Sequence, residues 1–299
     1  MKSLKIGAGD GVAIGATSPP EGAEMSRSSS PGCTRRWLLA AAALVATVLA
    51  GPVASAAEPG AGAPGAHHTV LITGSNRGIG LEFVRQYAAL GWRVIATTRD
   101  PDSASELKAF AADHPSVVLE PLDLLDHPGI DALAAKYLGQ PIDVLINNAG
   151  LMRGPDRGQM VGTIDYAEFD RFYRTNAMGP LKVAEAFYPN VKAGELKVMA
   201  ALTTGKGKRG IPVPGFTLYK TSKAAMDALQ QEMALRWKNQ GIKVVTLNPG
   251  RVLTHGEPAG PGQKTVSATD SIRGMIGVIG KLTMEQTGQT IQWDGEPLE

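Results

Sequence analysis

A strand, a glycine-rich turn and a helix in immediate succession constrain this chain more than any other stretch of it. Thr69-Val70-Leu71-Ile72 is a short apolar run suited to a buried strand. Thr73-Gly74-Ser75-Asn76-Arg77-Gly78-Ile79-Gly80 follows at once, and then the amphipathic stretch Leu81 to Leu90. Small residues at such a turn let the backbone approach a pyrophosphate, and the helix start offers free N–H groups at its positive end. A glycine cluster alone would be a weak sign. Lying between a strand and a helix, it points to a nucleotide.

Gly91-Trp92 closes the helix, and Arg93 to Thr98 reads as a second strand. Arg99 stands just past its end, where a dinucleotide-binding protein contacts the adenine ribose. A carboxylate there would hold the ribose hydroxyls of NAD, whereas a guanidinium suits the extra phosphate of NADP. Arg77 can reach the same phosphate; Asp100 is the opposing sign. NADP is favoured, with NAD the alternative. Ser105 to Asp113 is expected to be a helix and Val117 to Glu120 a third strand, with Asp123 and Leu124 beyond it. Pro128 to Leu138 gives another helix. Ile142 to Ile146 makes a fourth strand, ending in Asn147-Asn148-Ala149-Gly150. Strands alternating with helices predict a parallel sheet with right-handed crossovers, an α/β fold.

The second half carries a different kind of signal. A helix is expected to begin at Tyr166–Tyr173 and to contain Asn176, a poor helix former that needs a reason to be there. Lys197 to Leu202 reads as the fifth strand, followed by Thr203-Thr204-Gly205 and the cationic run Lys206, Lys208, Arg209. In Tyr219-Lys220-Thr221-Ser222-Lys223 a helix would place Tyr219 and Lys223 one turn apart on the same face. A nearby ammonium would favour the phenolate and bring a phenol of pKa ~10 towards useful acidity. The plainer alternative is a surface helix that happens to carry both. The helix continues to Asn239, with Ala224, Ala225, Ala228 and Leu229 expected to face the sheet. Lys243 to Leu247 is a sixth strand ending in Asn248-Pro249-Gly250. His255 to Thr269 reads as a Gly/Pro-rich lid, Ser271 to Leu282 as a last helix, and Thr290 to Trp293 as a seventh strand.

Composition narrows the classes. Hydrophobic residues make up 43% of the 299 and charged residues 19%, as in a globular protein. A net charge of +2 gives no reason to expect nucleic acid or a membrane surface as partner. Cys33 is the only cysteine and the histidines lack metal-ligand spacing, so no metal site is expected. Residues 1–56 read as a targeting segment. Arg35-Arg36 precede an apolar run through Ala50, short of the ~20 residues that span a bilayer. Ala54-Ser55-Ala56 matches an A-x-A cleavage site. The paired arginines resemble the twin-arginine signal of folded bacterial cargo, and a start at Met25 would give a leader of more usual length. Residues 57–66 read as a flexible linker and 67–299 as one domain. The expected location is therefore the periplasm or the extracellular space, or the cytoplasm if the leader is misassigned.

Taken together, the Thr73–Gly80 turn, Asp123, Asn147 to Gly150, Asn176, Tyr219 with Lys223, and Asn248-Pro249-Gly250 with Thr254 resemble the short-chain dehydrogenase/reductases in order and spacing across residues 69–299. Within the family, the Val94–Pro101 segment, the loop after Thr204 and the tail are most similar to C-factor and sniffer type carbonyl reductases. The resemblance implies a single Rossmann domain with a doubly wound sheet of about seven strands, order 3-2-1-4-5-6-7, and helices on both faces. It implies NADPH-dependent reduction of an aldehyde or ketone, or the reverse, with Asn176, Thr204, Tyr219 and Lys223 as the catalytic set. Thr204 stands where most members have serine, with Thr203 as the alternative. The implied cofactor contacts are Gly74, Ser75, Asn76, Arg77, Gly78, Ile79, Gly80, Arg99, Asp123, Leu124, Asn148, Ala149, Gly150, Tyr219, Lys223, Pro249, Gly250, Val252 and Thr254. The implied partner is a small-molecule carbonyl or alcohol; a homodimer is among the assemblies such proteins use, and no membrane span remains once the leader is removed. The other reading is a nucleotide-binding regulatory protein with little turnover.

Overall fold

Apolar runs of three to six residues become seven strands, all parallel, in the order β3-β2-β1-β4-β5-β6-β7. The computed structural model describes residues 68–153, 158–205, 214–253 and 264–298, all within the unit Ala57–Glu299. The strands are β1 (Thr69–Ile72), β2 (Arg93–Thr98), β3 (Val117–Pro121), β4 (Val144–Asn147), β5 (Val198–Leu202), β6 (Lys243–Asn248) and β7 (Thr290–Gln292). The helices are α1 (Gly78–Ala89), α2 (Ser105–Asp113), α3 (His127–Lys136), α4 (Phe169–Tyr173), α5 (Gly179–Ala186), α6 (Tyr188–Ala193), α7 (Thr217–Trp237) and α8 (Ala268–Lys281). The sheet order and the covered faces are those expected from the sequence.

Strands buried on both faces need apolar residues at nearly every position, and alternate residues then enter different cores. Val70, Ile72, Val94, Val144 and Ile146 join Phe83 of α1 and Met275 of α8 on one side. Leu71, Ile95, Leu145, Met199 and Val244 meet Leu133 of α3, Val183 of α5 and Trp237 of α7 on the other. No described helix is long and apolar enough to cross a membrane.

Two expectations about helices are corrected. The stretch around Asn176 is not one continuous α-helix: a 3-10 turn at Tyr166–Glu168 leads into α4, and a π-turn at Arg174–Met178 separates α4 from α5. On α7, Ala224 and Ala228 are exposed rather than turned to the sheet, while Ala225 and Leu229 pack against Ala177, Ala201 and Met226. The inward face of α7 is set by its contacts with the π-turn and β6, and four small or apolar residues in sequence could not specify that phase. The leader, the linker, the cationic run and Thr254 and His255 lie outside the described residues.

Candidate active site

Parallel strands that all run one way deliver their carboxyl ends to one edge of the sheet, and the segments that carry the expected site residues among the described ones follow those ends. At the exit of β1 the backbone folds back tightly. Gly74 adopts φ +68°, and a Cβ built on it would lie 2.9 Å from the Cα of Ala149. A Cβ on Gly80 would be driven into the carbonyl oxygen of Gly74. The turn is fastened from β4. The Asn148 side-chain amide donates to the carbonyls of Thr73 (2.8 Å) and Gly74 (3.0 Å), and the N–H groups of Asn148 and Ala149 donate to the Thr73 hydroxyl at 3.0 and 3.1 Å. Ser75 donates its N–H to the carbonyl of Thr97 and its hydroxyl to that of Ile72. The result is a rigid backbone cradle at the start of α1, where Arg77 is the exposed, extended N-cap residue with no side-chain cap bond.

Arg99 is exposed at the end of β2. Asp100, the opposing sign in the sequence, turns its carboxylate back onto its own loop, accepting from the N–H groups of Asp102 (3.1 Å) and Ser103 (3.3 Å). Hydrogen bonds from Ser103 hold its carboxyl below the usual carboxylate range. Asp123, past β3, likewise accepts from the N–H of Leu125, and Leu124 is buried beside Gly179.

The four chemistry-bearing side chains come from three separate segments. Tyr219 and Lys223 lie one turn apart on α7, as the spacing required. Tyr219 is hydrogen-bonded to Thr204, at the exit of β5. Thr203 is buried, and its hydroxyl has no partner among the described residues, so the structure joins Thr204 rather than Thr203 to the phenol. Lys223 is buried and donates to the carbonyl of Leu202 at 2.8 Å. Asn176 is fully buried in the π-turn: its Oδ1 accepts from the N–H of Leu151 (2.7 Å), and its Nδ2 donates to the Leu151 carbonyl (2.9 Å) and the Ser222 hydroxyl (3.0 Å). Ser222 in turn donates to the carbonyl of Tyr219. A Cβ on Gly150 would sit 3.2 Å from Asn176 Oδ1 and 3.4 Å from Lys223 Nζ, so these two groups flank the exit of β4.

The electrostatics differ from the expectation that Lys223 would lower the Tyr219 pKa. Burial pushes the phenol up to about 12, opposed by its hydrogen bond to Thr204 and reinforced by the carboxylate of Asp227. Burial pulls Lys223 down to about 8, with Asp227 opposing. Removing each group from water penalises its charged form, and that penalty is the largest cause of both shifts.

At the exit of β6, Asn248 accepts from the N–H of Gly205 (3.2 Å) and Gly250 (3.4 Å), and Ser271 of α8 donates to the carbonyl of Pro249 at 2.7 Å. Gly250, with φ +74°, lies against the indole of Trp293, and Val252 pairs with Val266. Sequence reasoning named Thr73 in the turn but missed the fastening role of its hydroxyl, and it missed Ser222, Gln159 and the Leu202 carbonyl as parts of the site. Ser222, a hydroxyl inside a helix and within the Tyr219–Lys223 stretch, offered a signal; the others act through contacts that no local pattern reveals.

The cradle suits a dinucleotide on its own terms: glycines where a side chain would collide, N–H groups at a helix start, and exposed arginines at the start of α1 and just past β2. The chain is 35% identical over 165 residues to the C-signal protein of Myxococcus xanthus, covering 55% of this chain and 96% of that one. It superposes on the NADPH-bound carbonyl reductase from chicken fatty liver with a TM-score of 0.71 at 30% identity, over 78% of this chain and 98% of that one. The corresponding values for the carbonyl reductase Sniffer of Drosophila melanogaster are 0.68 and 25%, over the same shares of each chain. The family model described as short chain dehydrogenase matches residues 68–259, and the chain therefore belongs to that family of oxidoreductases.

Proposed function

We propose that this protein reduces an aldehyde or ketone to its alcohol with NADPH, and that Tyr219 delivers the proton. The observation that carries this reading is the hydrogen-bonded pair of hydroxyls, Thr204 and Tyr219, beside a buried lysine at the carboxyl edge of the sheet. NADPH, when bound, supplies the hydride. The Gly74–Gly80 turn would hold its pyrophosphate, Arg77 and Arg99 its ribose phosphate, and Asp123 and Leu124 would border its adenine. Asn148, Ala149 and Gly150 would line its middle, and Pro249, Gly250, Val252 and Thr254 its nicotinamide end. The choice of NADP over NAD is supported by the two exposed guanidiniums, by the engagement of Asp100 with its own turn, and by the NADPH-bound relative.

The chain's own residues then divide the work. A substrate oxygen placed between the Thr204 and Tyr219 hydroxyls receives two hydrogen bonds aimed at the atom on which charge develops. With its pKa near 12, the Tyr219 phenol is fully protonated at neutral pH, the state a donor needs at the start of a reduction. Lys223 spends one of its three N–H donors on Leu202 and keeps two for ribose hydroxyls. Asn176 has committed both side-chain polar atoms to protein partners. Its main-chain carbonyl, in a turn where the helical ladder is interrupted, is then the group that would hold a water to resupply Tyr219.

The test is NADPH oxidation against a panel of carbonyl compounds by wild type and Tyr219→Phe. Equal turnover by the two would remove Tyr219 from its role. Tight NADPH binding with no turnover across the panel would favour a nucleotide-binding regulatory protein instead. Export is proposed from the leader: with Arg35 and Arg36 both changed to lysine, the protein should stay in the cytoplasm. Normal export of that variant would refute the twin-arginine assignment.

A further inference from the structure

Helix α7, which carries Tyr219 and Lys223, begins badly by local standards. Its N-cap residue is Phe216, an aromatic side chain in the left-handed region (φ 57°) with no side-chain cap bond. Helix starts leave their first N–H groups without intrahelical partners, and a nearby Ser, Thr, Asp or Asn usually accepts from one of them. None does so here. Instead Gln159, 60 residues before Tyr219, reaches the first turn twice. Its main-chain carbonyl accepts from the N–H of Thr217 at 2.9 Å, and its side-chain Oε1 accepts from the N–H of Tyr219 at 3.3 Å.

Gln159 is fully buried, and its Nε2 has no acceptor among the described residues. A buried, unsatisfied amide is costly, and a methionine of similar shape would avoid that cost. What a methionine cannot provide is the Oε1 acceptor. The residue is also held firmly at its own end. Gly158, in the left-handed region, accepts from the N–H of Asp165 at 3.2 Å, closing the loop from which Gln159 projects. The same excursion from β4 is tied at its other end, where Leu151 exchanges two hydrogen bonds with Asn176.

We propose that Gln159 is a positioning residue for Tyr219: a remote cap that fixes the first turn of α7 and thereby the placement of the phenol against Thr204. The loop between β4 and α4 thus bears on both ends of the proton-handling group, through Asn176 and through Gln159. The cap stands on the hydrogen bonds alone, whereas its effect on turnover rests on the reductase reading above.

The test compares Gln159→Met, which keeps the shape and removes the acceptor, with Gln159→Glu, which keeps an acceptor at the same reach. A carboxylate is also favoured at a helix start. The readouts are kcat, KM, NADPH affinity, and hydrogen exchange of the amides from Thr217 to Lys223. For Gln159→Met, kcat should fall about tenfold with KM and NADPH affinity little changed, since a small misplacement of a catalytic group is felt in the rate. Exchange at Tyr219 should accelerate in the same variant. Gln159→Glu should recover most of kcat and the slow exchange. The proposal is overturned if Gln159→Met keeps wild-type kcat and exchange, or if both variants lose kcat and thermal stability equally. Faster exchange in Gln159→Met, with no turnover by wild type on any carbonyl, would leave the cap standing and remove the reductase reading.

Discussion

The two ends of this site are built from different materials. The cofactor side, from β1 to β4, is a backbone structure: glycines at Gly74 and Gly80, N–H groups, and main-chain carbonyls tied by Asn148. The chemistry side is made of side chains drawn from the exit of β5, α7 and the π-turn: Asn176 and Lys223 are buried, Thr204 and Tyr219 are half-buried, and each is satisfied by a distant partner. A backbone cradle fails where a Cβ is added or where the Thr73 and Asn148 side chains that fasten it are lost. A side-chain constellation tolerates neither loss of a group nor loss of the partner that aims it.

Substitutions on the two sides should therefore fail differently. The largest effect is expected from Tyr219→Phe, which should cost about 10²–10⁴-fold in kcat while NADPH affinity, read by fluorescence titration, is retained. Gly80→Ala should do the opposite. Its methyl group meets the Gly74 carbonyl, so NADPH binding weakens and the fold loses about 1–3 kcal/mol, measured by denaturant unfolding. If Gly80→Ala binds NADPH normally, the cradle is looser than its geometry implies.

A subtler contrast lies in the charges. Lys223 is pulled from 10.5 to about 8, so between those values the folded state has released a proton that the unfolded chain still holds. Its penalty is full below about pH 8 and is relieved as pH rises, giving a stability slope of at most about 1.4 kcal/mol per pH unit. Tyr219, raised to about 12, acts in the reverse sense: it favours the fold below pH 10, and that contribution is lost above it. Comparing denaturation midpoints of wild type and Lys223→Met from pH 7 to 9.5 isolates the lysine. Parallel curves would mean that the ammonium is not desolvated. The smallest effect is on the cofactor side. Arg99→Ala should narrow the preference for NADP over NAD by about tenfold, the loss of one charge-assisted contact. An unchanged preference would return Arg99 to the status of a surface residue.

The same contrast explains what could be read in advance. The cradle is legible because its signal is local: strand, glycines and helix follow one another within Thr69–Ala89, and each glycine reports a steric demand at its own position. Tyr219 and Lys223 are legible as a pair because an α-helix fixes their separation. Their electrostatics were not. The spacing suggests an ammonium that lowers a phenol's pKa, but burial, which no local pattern measures, reversed the direction. The phase of α7 failed for a related reason, since Ala224 and Ala228 look apolar whether they face the sheet or water.

By itself the sequence determined the parallel α/β sheet, its glycine turn and the pairing of Tyr219 with Lys223, because hydrophobic runs, glycine positions and helical spacing are properties of short segments. Only the tertiary structure decided which hydroxyl meets Tyr219, what Asn176 holds, and how α7 is capped. Those depend on hydrogen bonds between residues tens of positions apart, such as the 60 that separate Gln159 from Tyr219. A contact of that kind is written in no stretch of chain, since it exists only once the sheet has brought its carboxyl ends to one edge.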